Sequence, residues 1–247
     1  MYIGRWLTAG AQDRHGKIRE RTSGTPQGGV ISPLLSNVFL HYAFDKWMSQ
    51  NSSSPFTRYA DDMVVFCRTR AEATELLSRI KTRLEDCKLR LHPDKTKIVY
   101  CGYRELKSVS RAIPRKFTFL GFDFRPVKAF SKKNHRAFTS YGGVPSLKRM
   151  ADIVEIFHTI ILRGQGSLEE IAAKLNPKLR SWLGYYGLFN RWAMKRVMRL
   201  LNRQLATWIS KKYKRFRYRI TASFEKLRSI CRLQPTLFAH WQHGHKL

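Results

Sequence analysis

Two adjacent carboxylates, Asp61 and Asp62, lie between two short runs rich in aromatic and β-branched residues, 56–60 and 63–66. Neighbouring side chains on a strand point to opposite faces, so a strand alone would separate the two acids. A tight turn between two strands can bring them together. The pattern therefore predicts a β-hairpin with both carboxylates at its exposed tip.

Two anions held this close repel each other unless a cation lies between them. Mg²⁺ is the natural partner, because it takes one or two carboxylates together with substrate phosphates. Two such ions, roughly 3.5–4 Å apart, can stabilise the attacking and the leaving oxygen of a phosphoryl transfer. The alternative is an ordinary turn, because aspartate favours turns for backbone reasons alone.

Other segments bear on that choice. Upstream, residues 24–37 (GTPQGGVISPLLSN) form a glycine-punctuated loop that leads into an apolar-striped helix. Further blocks follow the acids: residues 93–96 (PDKT), 117–122 (FTFLGF) and 175–182 (LNPKLRSW), the last followed by Tyr185 and Tyr186. Together with Tyr59-Ala60-Asp61-Asp62, these blocks resemble the reverse transcriptases encoded by group II introns, which are mobile elements. The last block resembles their maturase, or thumb, region.

The resemblance implies RNA-directed DNA synthesis, with an RNA template, a DNA primer, deoxynucleoside triphosphates and Mg²⁺ as partners. Asp61 and Asp62 would be catalytic and would hold the metal. The implied nucleotide- and template-binding residues are Gln27, Gly28, Gly29 and Lys95, and the implied primer support is Leu120 and Gly121. Taken without the resemblance, the glycine run could be a turn, Lys95 is one of 47 basic residues, and Leu120-Gly121 could be an ordinary hairpin pair.

The family has a further catalytic aspartate on a strand well before this region. Asp13 lies in a polar run and Asp45 within a predicted helix, so neither is a convincing substitute. We therefore expect the fingers and the first half of the palm to be missing. The chain alone should have little or no polymerase activity, and a separately encoded N-terminal fragment is a candidate partner.

The formal net charge of +30 requires an anionic partner, and polyphosphate is the obvious one. The excess is uneven: residues 1–126 carry +10 and residues 127–247 carry +20. In the run 211–219, aromatic residues alternate with cations, as expected where bases stack while phosphates are neutralised. The C-terminal half is therefore the predicted RNA grip, although a charge run can also be a solvated face.

The predicted RNA-binding residues fall into three groups. Arg180, Trp182, Tyr185 and Tyr186 follow from the resemblance to the maturase motif, although Trp182 and Tyr185 could equally belong to a thumb core. The other two groups are basic: Arg196, Arg199 and Arg203 on a predicted helix, and Lys211, Lys212, Lys214, Arg215, Arg217 and Arg219 in the cationic run. By resemblance the bound RNA is group II intron RNA, and the thumb would assist its splicing.

Periodicity predicts an α+β fold. A helix should begin with Ser32 as its cap and end at 52–55, and a second should carry an apolar stripe over 73–87. With short strands at 97–101 and 117–124, these elements give an antiparallel sheet backed by helices, and the resemblance implies that 1–126 is a partial reverse-transcriptase palm. A basic connector follows at 127–145, and an all-α thumb or maturase domain at 146–247. The predicted thumb helices are 146–163, 167–175, 177–190, 193–213 and 222–233.

The four cysteines lack the short spacings of a zinc site and are typical of reduced thiols. No apolar run approaches the roughly 20 residues of a membrane span. We therefore expect a cytoplasmic, nucleic-acid-associated protein without a membrane partner. Two hypotheses remain at this point. One is a reverse transcriptase and maturase, and the other is a non-catalytic RNA-binding splicing factor or a truncated relic.

Overall fold

A computed structural model describes residues 2–12, 14–19, 24–25, 28–102, 113–131, 136–163, 166–188 and 191–247. Small antiparallel sheets and helices make up the chain, so the predicted α+β class is confirmed. The chain divides into two units, Met1–Ile98 and Val99–Leu247. None of the helices in these ranges is long and apolar enough to cross a membrane.

The first unit alternates helices with short strand pairs. Its elements are α1 (Tyr2–Thr8), β1 (Ala11–Gln12), β2 (Ile18–Arg19), α2 (Ser32–Leu40), a π-helical turn (His41–Asp45), α3 (Lys46–Asn51), β3 (Phe56–Tyr59), β4 (Asp62–Val65) and α4 (Arg70–Asp86). β1 pairs with β2 and β3 pairs with β4, both antiparallel. The second pair carries the two candidate carboxylates.

The helix predicted to begin after a Ser32 cap begins one residue earlier. Ile31 already has α-helical backbone angles and is the N-cap, and Ser32 is the first helical residue. The prediction that Ser32 caps the helix is therefore wrong. The predicted end is confirmed, because the helical stretch stops at Asn51 and Ser52 is extended.

The core of the first unit lies between α4 and the helical stretch that precedes β3. The apolar stripe predicted on α4 is confirmed, with Leu76, Ile80 and Leu84 buried against Phe44 and Met48. Burial of large apolar side chains is worth about 1.5–3 kcal/mol each. This packing therefore fixes the hairpin's supporting helices without using any of the candidate site residues.

The second unit contains one sheet and five helices in its described ranges. Its elements are β5 (Phe117–Phe119), β6 (Phe122–Ser131), β7 (Arg136–Pro145), α5 (Leu147–Arg163), α6 (Leu168–Tyr186), α7 (Arg191–Lys212), a 3₁₀ turn (Lys214–Phe216), α8 (Ile220–Leu233) and α9 (Ala239–Gln242). The sheet has the order β5-β6-β7 and is antiparallel throughout.

Two of the predicted strands are wrong in detail. Residues 97–101 form no strand. Residues 117–124 are not one strand but two, β5 and the start of β6, joined at the turn formed by Leu120 and Gly121. This turn agrees with the alternative that Leu120-Gly121 is a hairpin pair.

The segment predicted as a basic connector, 127–145, is mostly strand. β6 and β7 pair over ten positions, from Phe122 opposite Pro145 to Ser131 opposite Arg136. Cations and glycines are poor strand formers, so they concealed this hairpin. One of the glycines lies in a tight place, since a Cβ at Gly143 would be 3.2 Å from the ring of Phe124, closer than most Cβ contacts.

The helices predicted at 167–175 and 177–190 are a single helix, α6, with Pro177 inside it. A proline inside a helix removes one backbone hydrogen bond and crowds the preceding turn. Packing compensates for that cost, because Leu175 and Leu179 are fully buried on the same face. Ser167 is the N-cap of α6, since its hydroxyl accepts a hydrogen bond from the Glu170 amide at 3.3 Å.

A buried polar network joins the C-terminal segment to α7. The Asn202 side-chain oxygen accepts hydrogen bonds from Trp241 Nε1 at 3.1 Å and from His240 Nε2 at 2.8 Å. His240 Nδ1 is buried and has no hydrogen-bond partner among the described residues. A proton added there would bring an unpaired charge into the core. Burial, with a smaller contribution from His245, lowers the pKa of His240 to about 3.

This network predicts acid sensitivity. The folded pKa of His240 lies below the usual value of about 6.5, so below that pH the unfolded chain binds the proton and the folded chain does not. The contribution of neutral His240 to the free energy of unfolding should be fully present above pH 6.5 and should decline towards pH 3. The expected loss between pH 7.5 and pH 5 is about 2 kcal/mol. Urea unfolding at the two pH values measures it.

Other groups also titrate in this range, including His245, because burial lowers the pKa of His245 as well. A matched variant separates the contribution of His240 from theirs. The variant His240→Gln keeps a hydrogen-bond donor for Asn202 but cannot titrate. Between pH 7.5 and pH 5, its unfolding free energy should therefore fall by about 2 kcal/mol less than that of the wild type. The exposed variant His243→Gln should keep the wild-type dependence. An equal loss in wild type and His240→Gln would show that His240 is not responsible.

Candidate functional site

The two candidate carboxylates are at the tip of the β3-β4 hairpin, where the sequence placed them. Asp61 lies in the turn, and Asp62 is the first residue of β4, directly opposite Tyr59. Both are exposed. Cross-strand partners share a face of the sheet, so Asp62 projects from the exposed face with Tyr59, while Arg58 and Met63 face the other side.

The backbone of this turn is strained at Ala60. Its φ of +52° is in the left-handed region, which two-residue hairpin turns require and glycine or asparagine normally supplies. For alanine this conformation costs roughly 1–2 kcal/mol. Such a residue persists only where its surroundings hold it in place.

Arg58 provides that restraint from the opposite face of the hairpin. Its guanidinium binds Asp45 through two hydrogen bonds, Nε to Oδ1 and Nη2 to Oδ2, each 2.6 Å long. Nη1 donates to Asn37 Oδ1 at 2.9 Å and to the Ala60 carbonyl at 3.0 Å. The hydrogen bond from Arg58 is the main cause that holds the pKa of Asp45 below its usual value. Asp45 is therefore an anchor for Arg58 rather than a free metal ligand.

The carboxylate donors at the tip fit part of a metal site. Asp61 and Asp62 are exposed, and neither side chain has a hydrogen-bond or ion-pair partner in the ranges that the structure describes. Adjacent carboxylates of this kind suit a hard cation whose other ligands are water and substrate phosphates. Within the same ranges, no group of three or more acids, histidines or cysteines could hold an ion.

The predicted nucleotide- and template-binding residues lie in two turns of the first unit. Gly28 and Gly29 precede α2, and Gly28 has φ +82°, a conformation that suits glycine. Lys95 is exposed in the turn that follows α4. Gln27 lies outside the described residues. Their roles stay predictions.

The predicted primer support is a second strained turn, in the second unit. Leu120 has φ +50° and Gly121 has φ +80°. The hydroxyl of Tyr185 donates to the Leu120 carbonyl at 2.9 Å, and the Ser146 amide donates to the Gly121 carbonyl at 2.9 Å. Both carbonyls of the turn are therefore held by residues distant in sequence.

Three aromatic residues predicted to bind RNA are used, at least in part, for packing. Tyr186 is only 8% exposed, and its ring lies 5.2 Å from that of Phe122. Trp182 packs edge-on against the buried Phe157. Tyr185 is 46% exposed and supports the Leu120 turn. The geometry favours a core role for Tyr186 and Trp182, and of the predicted aromatic group it leaves only Tyr185 with an open surface.

The basic residues are well placed for an anionic partner. Arg180 on α6 and Arg196, Arg199 and Arg203 on α7 are exposed. None of these four forms an ion pair with a carboxylate among the described residues. On α7 the buried side, which includes Val197 and Leu201, faces the core. The exposed arginines of α7 therefore form an uncompensated cationic face.

The cationic run 211–219 continues from the end of α7 through the 3₁₀ turn. The exposed members are Lys211, Lys212, Lys214, Arg215, Arg217 and Arg219. Phe216 is half-buried against the core, and its carbonyl accepts a hydrogen bond from Ser210 Oγ at 3.1 Å. A basic cleft of about 440 Å³ follows, lined by Arg215, Phe216, Arg219 and Lys226 among others. The anchored phenylalanine holds the surrounding cations in a defined arrangement.

Sequence reasoning missed two features. Arg58 lies three residues before Asp61, but nothing local indicated its contacts with Asn37 and Asp45. Trp192 is 78% exposed at the start of α7, with Lys195 Nζ 5.2 Å from its ring centre. A tryptophan opening a basic helix was the available signal, since an exposed indole beside a cation can stack on a base.

Comparisons with known proteins agree with this arrangement. Residues 1–124 match the family model described as reverse transcriptase (RNA-dependent DNA polymerase). Residues 150–224 match the model described as group II intron, maturase-specific domain. Protein YkfC of Escherichia coli (strain K12) is 32% identical over 136 residues, which covers 39% of this chain and 36% of that protein. The chain thus spans little more than a third of the curated relative it matches.

Proposed function

Because this chain belongs to the group II intron reverse transcriptase and maturase family, we propose that it supplies part of an RNA-directed DNA polymerase and binds intron RNA. The observation that supports the polymerase role is the exposed pair Asp61 and Asp62 on a rigidly held turn. Residues 1–126 would serve as part of the palm and 146–247 as the thumb, with 127–145 between them.

In this proposal Asp61 and Asp62 hold divalent ions beside the primer end. When bound, the ions would stabilise the attacking 3′-oxygen and the departing pyrophosphate of the nucleotidyl transfer. Gln27, Gly28 and Gly29 would let the backbone approach the nucleotide and template, and Lys95 would neutralise triphosphate charge. Leu120 and Gly121 would support the primer.

Primer extension tests the polymerase role. The 247-residue chain is assayed with an RNA template, a DNA primer, deoxynucleoside triphosphates and Mg²⁺, alone and with a co-expressed fingers fragment from a related enzyme. We expect little extension from the chain alone, since the described acids offer no third carboxylate beside the turn. Extension should appear when the fragment is supplied. No extension under any pairing would contradict the polymerase role.

The second candidate function, binding of intron RNA and assistance with its splicing, is supported by the cationic face of α7. Arg196, Arg199 and Arg203 are exposed on a helix whose other side is core. Such a surface would hold folded RNA by neutralising phosphates rather than by chemistry. RNA binding should therefore not depend on Asp61 or Asp62.

Salt-dependent binding to a transcribed group II intron RNA measures this role. Arg196, Arg199 and Arg203 are replaced together by glutamine. The steepness of the fall of log K with log salt should decrease by roughly 2–3, because each phosphate contact contributes about 0.7–0.9 to that slope. The same charge change at the exposed Arg70, Lys81 and Arg90 of the first unit is the control and should have a smaller effect. An unchanged slope in the first triple variant would remove the α7 face from the interface.

A further inference from the structure

We propose that Arg58 is the positioning residue of the carboxylate turn, because it fixes the backbone of Ala60 so that Asp61 and Asp62 are presented together. The link between Arg58 and metal binding rests on the proposed polymerase function, whereas the restraint of Arg58 on the Ala60 carbonyl does not depend on that function. Arg58 touches neither carboxylate, so it would act through the turn and not on the reacting atoms.

The first step is the geometry of the guanidinium. Arginine has five N–H donors in a planar fork, and four of them are used here. The N–H groups of Nε and Nη2 donate to the Asp45 carboxylate. The two N–H groups of Nη1 donate to Asn37 Oδ1 and to the Ala60 carbonyl. Lysine has no planar fork and cannot reproduce this set. The arrangement therefore requires arginine and not merely a positive charge.

The second step is the support behind the guanidinium. Asn37 is on α2 and Asp45 is the last residue of the π-helical turn, eight positions later. In a continuous α-helix eight residues make about 2.2 turns, which would displace Asp45 sideways from Asn37. A π turn winds less per residue, so it brings the Asp45 side chain back towards the face of Asn37. The irregular helix thereby places both acceptors where Arg58 reaches them.

The third step is the need for such a restraint. Ala60 occupies a left-handed conformation that alanine disfavours, and its carbonyl lies next to the two acids. The Arg58 side chain is only 11% exposed, and its pairing with Asp45 keeps the guanidinium in place behind the turn. An apolar side chain could fill the same space, but it could not hold the Ala60 carbonyl. Holding the turn is thus the specific contribution of the guanidinium.

Amide hydrogen exchange, followed by NMR on the 247-residue chain, tests the proposal without any catalytic assay. Arg58→Lys should accelerate exchange at residues 60–63 by about tenfold or more, and leave the amides of α4 at wild-type rates. Arg79→Lys is the matched control. Arg79 also donates to a backbone carbonyl of the first unit, that of Asn51, which lies outside both the π-helical turn and the hairpin. It should leave residues 60–63 unchanged.

Two results would overturn the proposal. Unchanged exchange at 60–63 in Arg58→Lys would show that the turn is stable without Arg58. Equal acceleration across the first unit would show that Arg58 contributes only to overall stability.

Should Arg58→Lys fail to fold, Asn37→Ala provides the test, since Asn37 is exposed and contacts only one arm of the guanidinium. It should accelerate exchange at 60–63 about threefold, and no change would again overturn the proposal.

A second readout separates this inference from the proposed function. In primer extension with the fingers fragment, Arg58→Lys should raise the Mg²⁺ concentration for half-maximal rate severalfold, with activity recovered at high Mg²⁺. Arg79→Lys should not. Metal rescue is not expected of a folding defect. If exchange changes as predicted but Asp62→Asn leaves extension intact, the Arg58 restraint stands and the polymerase role fails. If Asp62→Asn abolishes extension while exchange in Arg58→Lys is unchanged, the polymerase role stands and the Arg58 restraint fails.

Discussion

Asp62→Asn should lower Mg²⁺-dependent primer extension, in the presence of the fingers fragment, by roughly a thousandfold. Asparagine keeps the shape of the side chain and the strand pairing opposite Tyr59, so the hairpin should remain intact. The variant loses only the charge that attracts a divalent ion. A bound metal supplies several kcal/mol of transition-state stabilisation, and about 4 kcal/mol corresponds to that factor. Asp61→Asn should behave similarly.

The matched control is Asp94→Asn, which removes the charge of another exposed acid in a turn of the same unit. It should retain extension within a few-fold of wild type. RNA affinity should be unchanged in both variants, because neither acid lies on the cationic face. Retention of more than a tenth of the wild-type rate by Asp62→Asn would contradict a metal-binding role for this carboxylate.

The position of the carboxylate turn was predictable because its signals are local. Aromatic and β-branched residues favour the two strands, and the aspartates favour the reversal between them. The apolar stripe of α4 and the Ser167 cap were predictable for the same reason: each depends on residues within one or two helical turns. Local patterns thus placed Asp61 and Asp62 at an exposed tip.

The restraint on that tip was not predictable, because it depends on contacts distant in sequence. Arg58 lies 13 positions from Asp45 and 21 from Asn37, and no periodicity connects them. The same holds for α6, where burial of Leu175 and Leu179 overrides the proline between them. It also holds for the β6-β7 hairpin, where Gly143 lies close to the ring of Phe124 on the paired strand.

The two strained turns share a design that only the structure shows. Ala60 and Leu120 are both non-glycine residues with positive φ, at +52° and +50°. Each has its carbonyl held by a side chain from elsewhere, Arg58 for Ala60 and Tyr185 for Leu120. Strain supported in this way is typical of functional positions. Both turns belong to the segments that the resemblance assigned to metal binding and primer support.

Asn202→Ala should destabilise the second unit by about 3–5 kcal/mol, measured by urea unfolding at pH 7.5. Asn202 is 3% exposed, and its oxygen accepts from Trp241 and His240, both fully buried. Alanine would leave two buried donors without an acceptor, at about 1–3 kcal/mol each, and would open a small cavity. Such a loss is a large part of the 5–15 kcal/mol typical of a domain.

A double-mutant cycle identifies the cause of that loss. Trp241→Phe keeps an aromatic ring but removes one donor, so Asn202→Ala should cost about 1–3 kcal/mol less in this background than in the wild type. Gln242→Ala is the control from the same C-terminal segment. Gln242 is exposed and donates to the Thr236 carbonyl, so its loss should cost less than about 1 kcal/mol. Equal costs of Asn202→Ala in both backgrounds would mean that the stranded indole donor is not the source of the destabilisation.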